Sequence, residues 1–133
     1  MTLAIPVGPS EVTINRDDRV LVCQPDGRID PGSAAGFFAR DTRLVSGWEV
    51  RLNGRTPVLL SSSPVRFYSA RFELTNPLLL DPDGPIDPHA ISFRLDRTVT
   101  GGIHEDLDIT SFARREIQLT IEVGIVSDFA DLF

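Results

Sequence analysis

In Glu116-Ile117-Gln118-Leu119-Thr120-Ile121-Glu122-Val123-Gly124-Ile125-Val126, every second residue is apolar. A period of two puts Ile117, Leu119, Ile121, Val123 and Ile125 on one face of an extended chain and the polar residues on the other. The stretch therefore predicts a half-buried strand. The same alternation recurs upstream, in Ile91, Phe93 and Leu95 against Ser92, Arg94 and Asp96, and in Tyr68, Ala70, Phe72 and Leu74 against Ser69, Arg71 and Glu73. Trp48, Val50 and Leu52 lead into Asn53-Gly54, a strong hairpin signal because both central residues of a type I′ turn need positive φ. Val58 and Leu60 are then expected to start the return strand, and Val20–Gln24 is a further short β-rich run closed by Asp26-Gly27.

Punctuation falls between these runs. Pro31-Gly32, Asn76-Pro77, Gly84-Pro85 and Gly101-Gly102 are turn or loop signals. No long window has a 3.6-residue period; Ser33–Ala39 and Ser127–Leu132 are the two short helical candidates. Seven or eight strands joined by turns predict an all-β, antiparallel sandwich or barrel with almost no helix. The length of 133 residues predicts one domain spanning 1–133, with residues 1–14 as a lead-in. The apolar end Phe129-Ala130-Asp131-Leu132-Phe133 directly follows the best strand. Such a terminus favours burial, so the sandwich is expected to be incomplete there, with more polypeptide or a docking partner to cover it.

Composition narrows the function classes. There are 19 acids and 13 bases, for a net charge of −6, and every base is Arg. A net-negative chain without a basic run suits neither nucleic acid nor an anionic membrane. No run reaches the roughly 18 apolar residues of a membrane helix, and Met1–Ser10 lacks the basic start of a secretory signal. With no Lys, Schiff-base chemistry and a P-loop lysine are excluded. The single Cys23, inside Val20-Leu21-Val22-Cys23, reads as a small buried hydrophobe, and a cytoplasmic setting is expected.

The chemistry-bearing residues are few. Ser61-Ser62-Ser63 lacks the G-x-S-x-G elbow, and neither His89 nor His104 is spaced as a triad partner. His104, Asp106 and Asp108 share one strand face, which suits a ligand set and a solvent face alike. Asp81-Pro82-Asp83-Gly84-Pro85-Ile86-Asp87 is only superficially a Ca²⁺ loop and lacks its terminal Glu. No catalytic residue, metal site or cofactor is therefore expected. Glu105 is the unusual carboxylate, since it falls on the apolar parity of Ile103, Leu107 and Ile109. It needs a cationic partner there, with Arg40, Arg43, Arg94 and Arg97 as candidates. Both a structural ion pair and a cleft residue fit this position. Trp48 and Tyr68 are the two aromatics able to stack on a sugar, although their parity also places them in the core. Arg40, Asp41 and Arg43 form the densest polar cluster, where an Arg–carboxylate pair can lock a loop.

That last segment carries a resemblance. Gly36-Phe37-Phe38-Ala39-Arg40-Asp41-Thr42-Arg43-Leu44-Val45-Ser46 resembles a stretch in the N-terminal domain of bacterial and archaeal-type glycogen debranching enzymes, the amylo-α-1,6-glucosidase-like proteins. Further blocks follow in the family's order: Leu52-Asn53-Gly54-Arg55, Leu59–Ser63, Leu74-Thr75-Asn76-Pro77, Gly101-Gly102-Ile103-His104-Glu105 and Ser127–Phe133. The resemblance covers roughly residues 15–133. It implies a β-sandwich that precedes an (α/α)₆ barrel bearing the catalytic carboxylates, so that this chain alone would be non-catalytic. It also implies a barrel partner in the same or another chain and an α-glucan near the shared cleft, with Gly36–Arg43 and Gly102–Glu105 as the candidate wall or domain interface. Two alternatives stand beside it: a self-sufficient glucan-binding module, and a module that forms homo-oligomers or other complexes through exposed strand edges.

Overall fold

The computed structural model describes residues 11–130. Among these residues twelve strands run in chain order: β1 (Val12–Arg16), β2 (Arg19–Cys23), β3 (Gly36–Ala39), β4 (Thr42–Val45), β5 (Gly47–Leu52), β6 (Val58–Arg66), β7 (Ser69–Thr75), β8 (Leu79–Asp81), β9 (Gly84–Ile86), β10 (Ile91–Val99), β11 (Ile103–Ser111) and β12 (Ile121–Val126). There is no helix among the described residues. Every strand pairing is antiparallel. One four-stranded sheet has the order β1-β2-β3-β4 and a second the order β11-β10-β7-β6; β12-β5 and β8-β9 form two-stranded ribbons. The fold is an all-β sandwich. Among the described residues the first strand starts at Val12, inside the 1–14 lead-in expected from the sequence.

The core forms where the two larger sheets face each other. Ile14 and Leu21 from the first sheet and Phe72, Phe93 and Leu95 from the second are fully buried, with Trp48, Val50 and Leu52 of β5 closing one side. Period two explains this directly, because β10 buries Ile91, Phe93, Leu95, Arg97 and Val99 in strict alternation.

Ser33–Ala39 is not helical: Gly36–Ala39 is β3, paired with β2 and β4. Ser127–Ala130 is also non-helical, and the rest of that candidate, including Leu132, lies outside the described residues. The long strand predicted from Glu116 starts only at Ile121. Before it, side chains claim the backbone: Gln118 N donates to Asp81 Oδ2, and Thr120 N donates to Asn53 Oδ1. Ile117 and Leu119 still pack on the core. Asn53 and Gly54 take φ of 47° and 78°, as a type I′ turn requires. Yet the turn closes only the Leu52–Arg55 bridge. β6 then pairs with β7, and β5 takes β12 instead.

Candidate functional site

Several of the segments that carry chemistry in the sequence meet in space as structural fastenings. Arg43 of β4 donates through Nε (3.2 Å) and Nη2 to the two carboxylate oxygens of Asp128. Its Nη1 donates to the carbonyl of Ser33 at 2.7 Å, and its backbone N to Ala130 O at 2.8 Å. Ser127 Oγ donates to Leu44 O, and Ser46 N to Val126 O at 2.8 Å. The fork-on-carboxylate geometry is the strong form of such a pair. It holds the Asp128 carboxyl below its ordinary range. The expected locking role thus belongs to Arg43. Arg40 reaches only Asp18 at 3.2 Å from an exposed position, and Asp41 is exposed. The close packing also explains Gly36, whose added Cβ would lie 2.6 Å from Val45 O and 2.7 Å from Arg43 Cδ.

Glu105 finds its partner in Arg97. The two are register partners on β11 and β10, with Arg97 Nε donating to Glu105 Oε1 at 3.0 Å. Arg97 is 1% exposed and also donates through Nη1 to Gly27 O at 2.9 Å. Its guanidinium lies 4.3 Å from the centre of the Trp48 ring and 5.2 Å from that of Phe72. The aromatic faces add cation–π attraction to that of the Glu105 carboxylate. Nη2, the one guanidinium nitrogen without a hydrogen-bond partner, is buried in this setting. Among the four candidate arginines, Arg97 was distinguishable in sequence by its own apolar parity with Phe93, Leu95 and Val99. Reading that parity together with Glu105 would have paired them.

The remaining motifs behave alike. Asn76 is fully buried: its Nδ2 donates to Pro77 O and Asp87 O, and its Oδ1 accepts from Ile91 N. Asn53 bridges Leu80 O, Gln118 O and the Thr120 amide. The Asp81–Asp87 stretch is the β8–β9 hairpin. Asp81 there accepts both terminal nitrogens of Arg115 at 2.9 Å and the amides of Gln118 and Asp83. These donors hold the carboxyl far below its ordinary range. His104 and Asp106 lie on the exposed face of β11, 3.2 Å apart. No group of three His, Cys, Asp or Glu side chains is placed to hold a metal ion among the described residues.

A cleft of about 500 Å³ opens between the layers. Leu21, Phe37 and Trp48 line its inner wall, Val123 and Ile125 of β12 one flank, and Ile103, Arg97 and Glu105 the other. It is an apolar groove with an already neutralised ion pair. Trp48 is only 6% exposed and has Arg97 stacked on its ring, while Tyr68 is half-buried with the Arg16 guanidinium 4.7 Å from its ring centre.

Residues 14–133 match the N-terminal domain of some glycogen debranching enzymes. The chain belongs to this family. The match runs through all the fastenings described above, from β1 to the Asp128 segment. None of the curated proteins and none of the solved structures matches the chain.

Proposed function

We propose that this chain is a non-catalytic accessory β-sandwich of a cytoplasmic, glycogen-debranching-type glycoside hydrolase. It packs beside an (α/α)₆ catalytic domain, in the same or a partner chain, and lends a wall to the α-glucan cleft. The observation that carries this reading is the family match over residues 14–133. The engagement of Arg43, Asn53, Asn76, Glu105 and Asp128 in structural contacts supports the non-catalytic part. Glycosidase chemistry requires two carboxylates about 5 Å or about 6.5–9.5 Å apart across a sugar-sized cleft. Here Glu105 is committed to Arg97 and Asp128 to Arg43.

The test combines two measurements. The purified chain is incubated with glycogen and released sugar is measured; none is expected, and turnover would overturn the non-catalytic reading. The chain is then co-expressed with a debranching-type (α/α)₆ domain. A stable complex with higher activity on branched glucan than the barrel alone is expected. Absence of any association would overturn the accessory role.

A further inference from the structure

Among the described residues β11 is an edge strand whose core side is only half covered. Its register partners on β10, Phe93, Leu95 and Val99, are fully buried, yet Leu107 and Ile109 opposite Leu95 and Phe93 are 39% and 40% exposed. Across the cleft, Val123 and Ile125 of β12 lie on the side of the core residues Val50 and Trp48 but are 50% and 65% exposed. Among the described residues β11 has no second neighbour. The outer face of this sheet is acidic toward the same edge: across β7, β10 and β11 it carries Arg71, Glu73, Arg94, Asp96, Asp106 and Asp108, four acids against two arginines. Arg71 is spent on Asp96 and Arg94 on Glu73. Among the described residues Asp106 and Asp108 on the edge strand have no arginine bonded to them; His104, on the same face, lies 3.2 Å from Asp106.

We propose that β11 is a strand-addition site for an extended segment of alternating apolar and basic residues. The segment pairs its backbone with the β11 edge. Its apolar side chains cover Leu107 and Ile109 on the core side of the sheet, and its cations lie beside Asp106 and Asp108 on the outer face. A second copy of this chain suits the edge less well: antiparallel self-pairing about Leu107, the centre of β11, sets Asp106 opposite Asp108 twice, and like charges directly opposite destabilise a sheet. The free edge of β12 offers no cation either, since Glu122 is its one charged residue. The inference rests on the reading that the domain docks onto further polypeptide, and it names the face.

The test uses the whole chain and two capped nine-residue peptides, one alternating Val with Arg and its twin alternating Val with Glu. Amide hydrogen exchange is followed by NMR. Saturable binding of the Arg peptide is expected, with slowed exchange at alternate β11 amides and at least tenfold weaker binding of the Glu twin. The exposed double substitution Asp106→Lys, Asp108→Lys should reverse that preference. Equal binding of the twins, protection outside β11, or no binding at millimolar peptide would overturn the proposal. So would β11 protection that rises with protein concentration in the absence of peptide, which would make a second copy the occupant. Failure here leaves the accessory role intact through another face, whereas failure of barrel association leaves this peptide result standing.

Discussion

Arg97 and Glu105 stand directly opposite each other on β10 and β11, and their side chains meet at 3.0 Å beneath the Trp48 ring. The pair fixes the edge strand to the core at the point where the apolar cleft begins. Its geometry is that of a fastening, since the carboxylate neutralises a cation that water cannot reach.

Removing one partner should therefore cost far more than removing both. Glu105→Ala leaves Arg97 charged and buried, at a cost of about 3 kcal/mol or more. Arg97→Met with Glu105→Leu should recover most of that loss, because it removes both charges and keeps apolar volume. Urea midpoints of the two variants check this; equal destabilisation would show that the charge balance is irrelevant.

Asn76 satisfies two carbonyls and one amide inside the fold. Asn76→Ala strands the buried Ile91 amide and removes two part-buried bonds, and at about 1–3 kcal/mol for a buried polar group left unpaired the domain should lose about 2 kcal/mol. Asn76→Asp should also destabilise, since a carboxylate cannot donate to the Pro77 and Asp87 carbonyls. Thermal unfolding by circular dichroism reads both.

Gly36→Ala drives a Cβ into the Val45 carbonyl, which is backbone and cannot swing aside. Gly101→Ala meets nothing within 4 Å. The first should lower Tm by several degrees, as a loss of about 1–3 kcal/mol does for a domain this size. The second should leave Tm nearly unchanged. Matching melting curves for the two variants would refute the close approach of β3 and β4.

Acid should loosen the Asp81 and Asp128 fastenings. Both carboxyls bind protons more weakly folded than unfolded, Asp81 through Arg115 and Asp128 through Arg43. The unfolded state thus takes up more protons, and the stabilisation present above the ordinary Asp pKa of about 4 is lost as pH falls below it. Urea midpoints between pH 6 and pH 2 should fall for the native chain and fall less for Asp81→Asn. Parallel curves would contradict the assignment.

Burial pushes the Cys23 thiol up to about 11, and the residue is fully enclosed. At pH 8 it should resist iodoacetamide in the folded chain and react on unfolding in urea. Modification at the rate of a free thiol in native buffer would show that β2 opens.

The period-two runs and the Pro and Gly punctuation determined the all-β class, the inward parity of each strand and the Asn53-Gly54 turn. These are local properties, set by which side chains alternate and which residues tolerate positive φ. Glu105 could likewise be seen to need a cation, because its parity is written in its neighbours. Only the tertiary structure decided that Arg97 supplies it, that Arg43 rather than Arg40 locks the loop onto Asp128, and that β5 pairs with β12 while β6 turns to β7. It also decided that Gln118 and Thr120 give their backbone to Asp81 and Asn53 instead of to a ladder. Those outcomes depend on partners 8 to 85 residues away in the chain. Several candidates of equal chemistry compete for each, and proximity alone selects one.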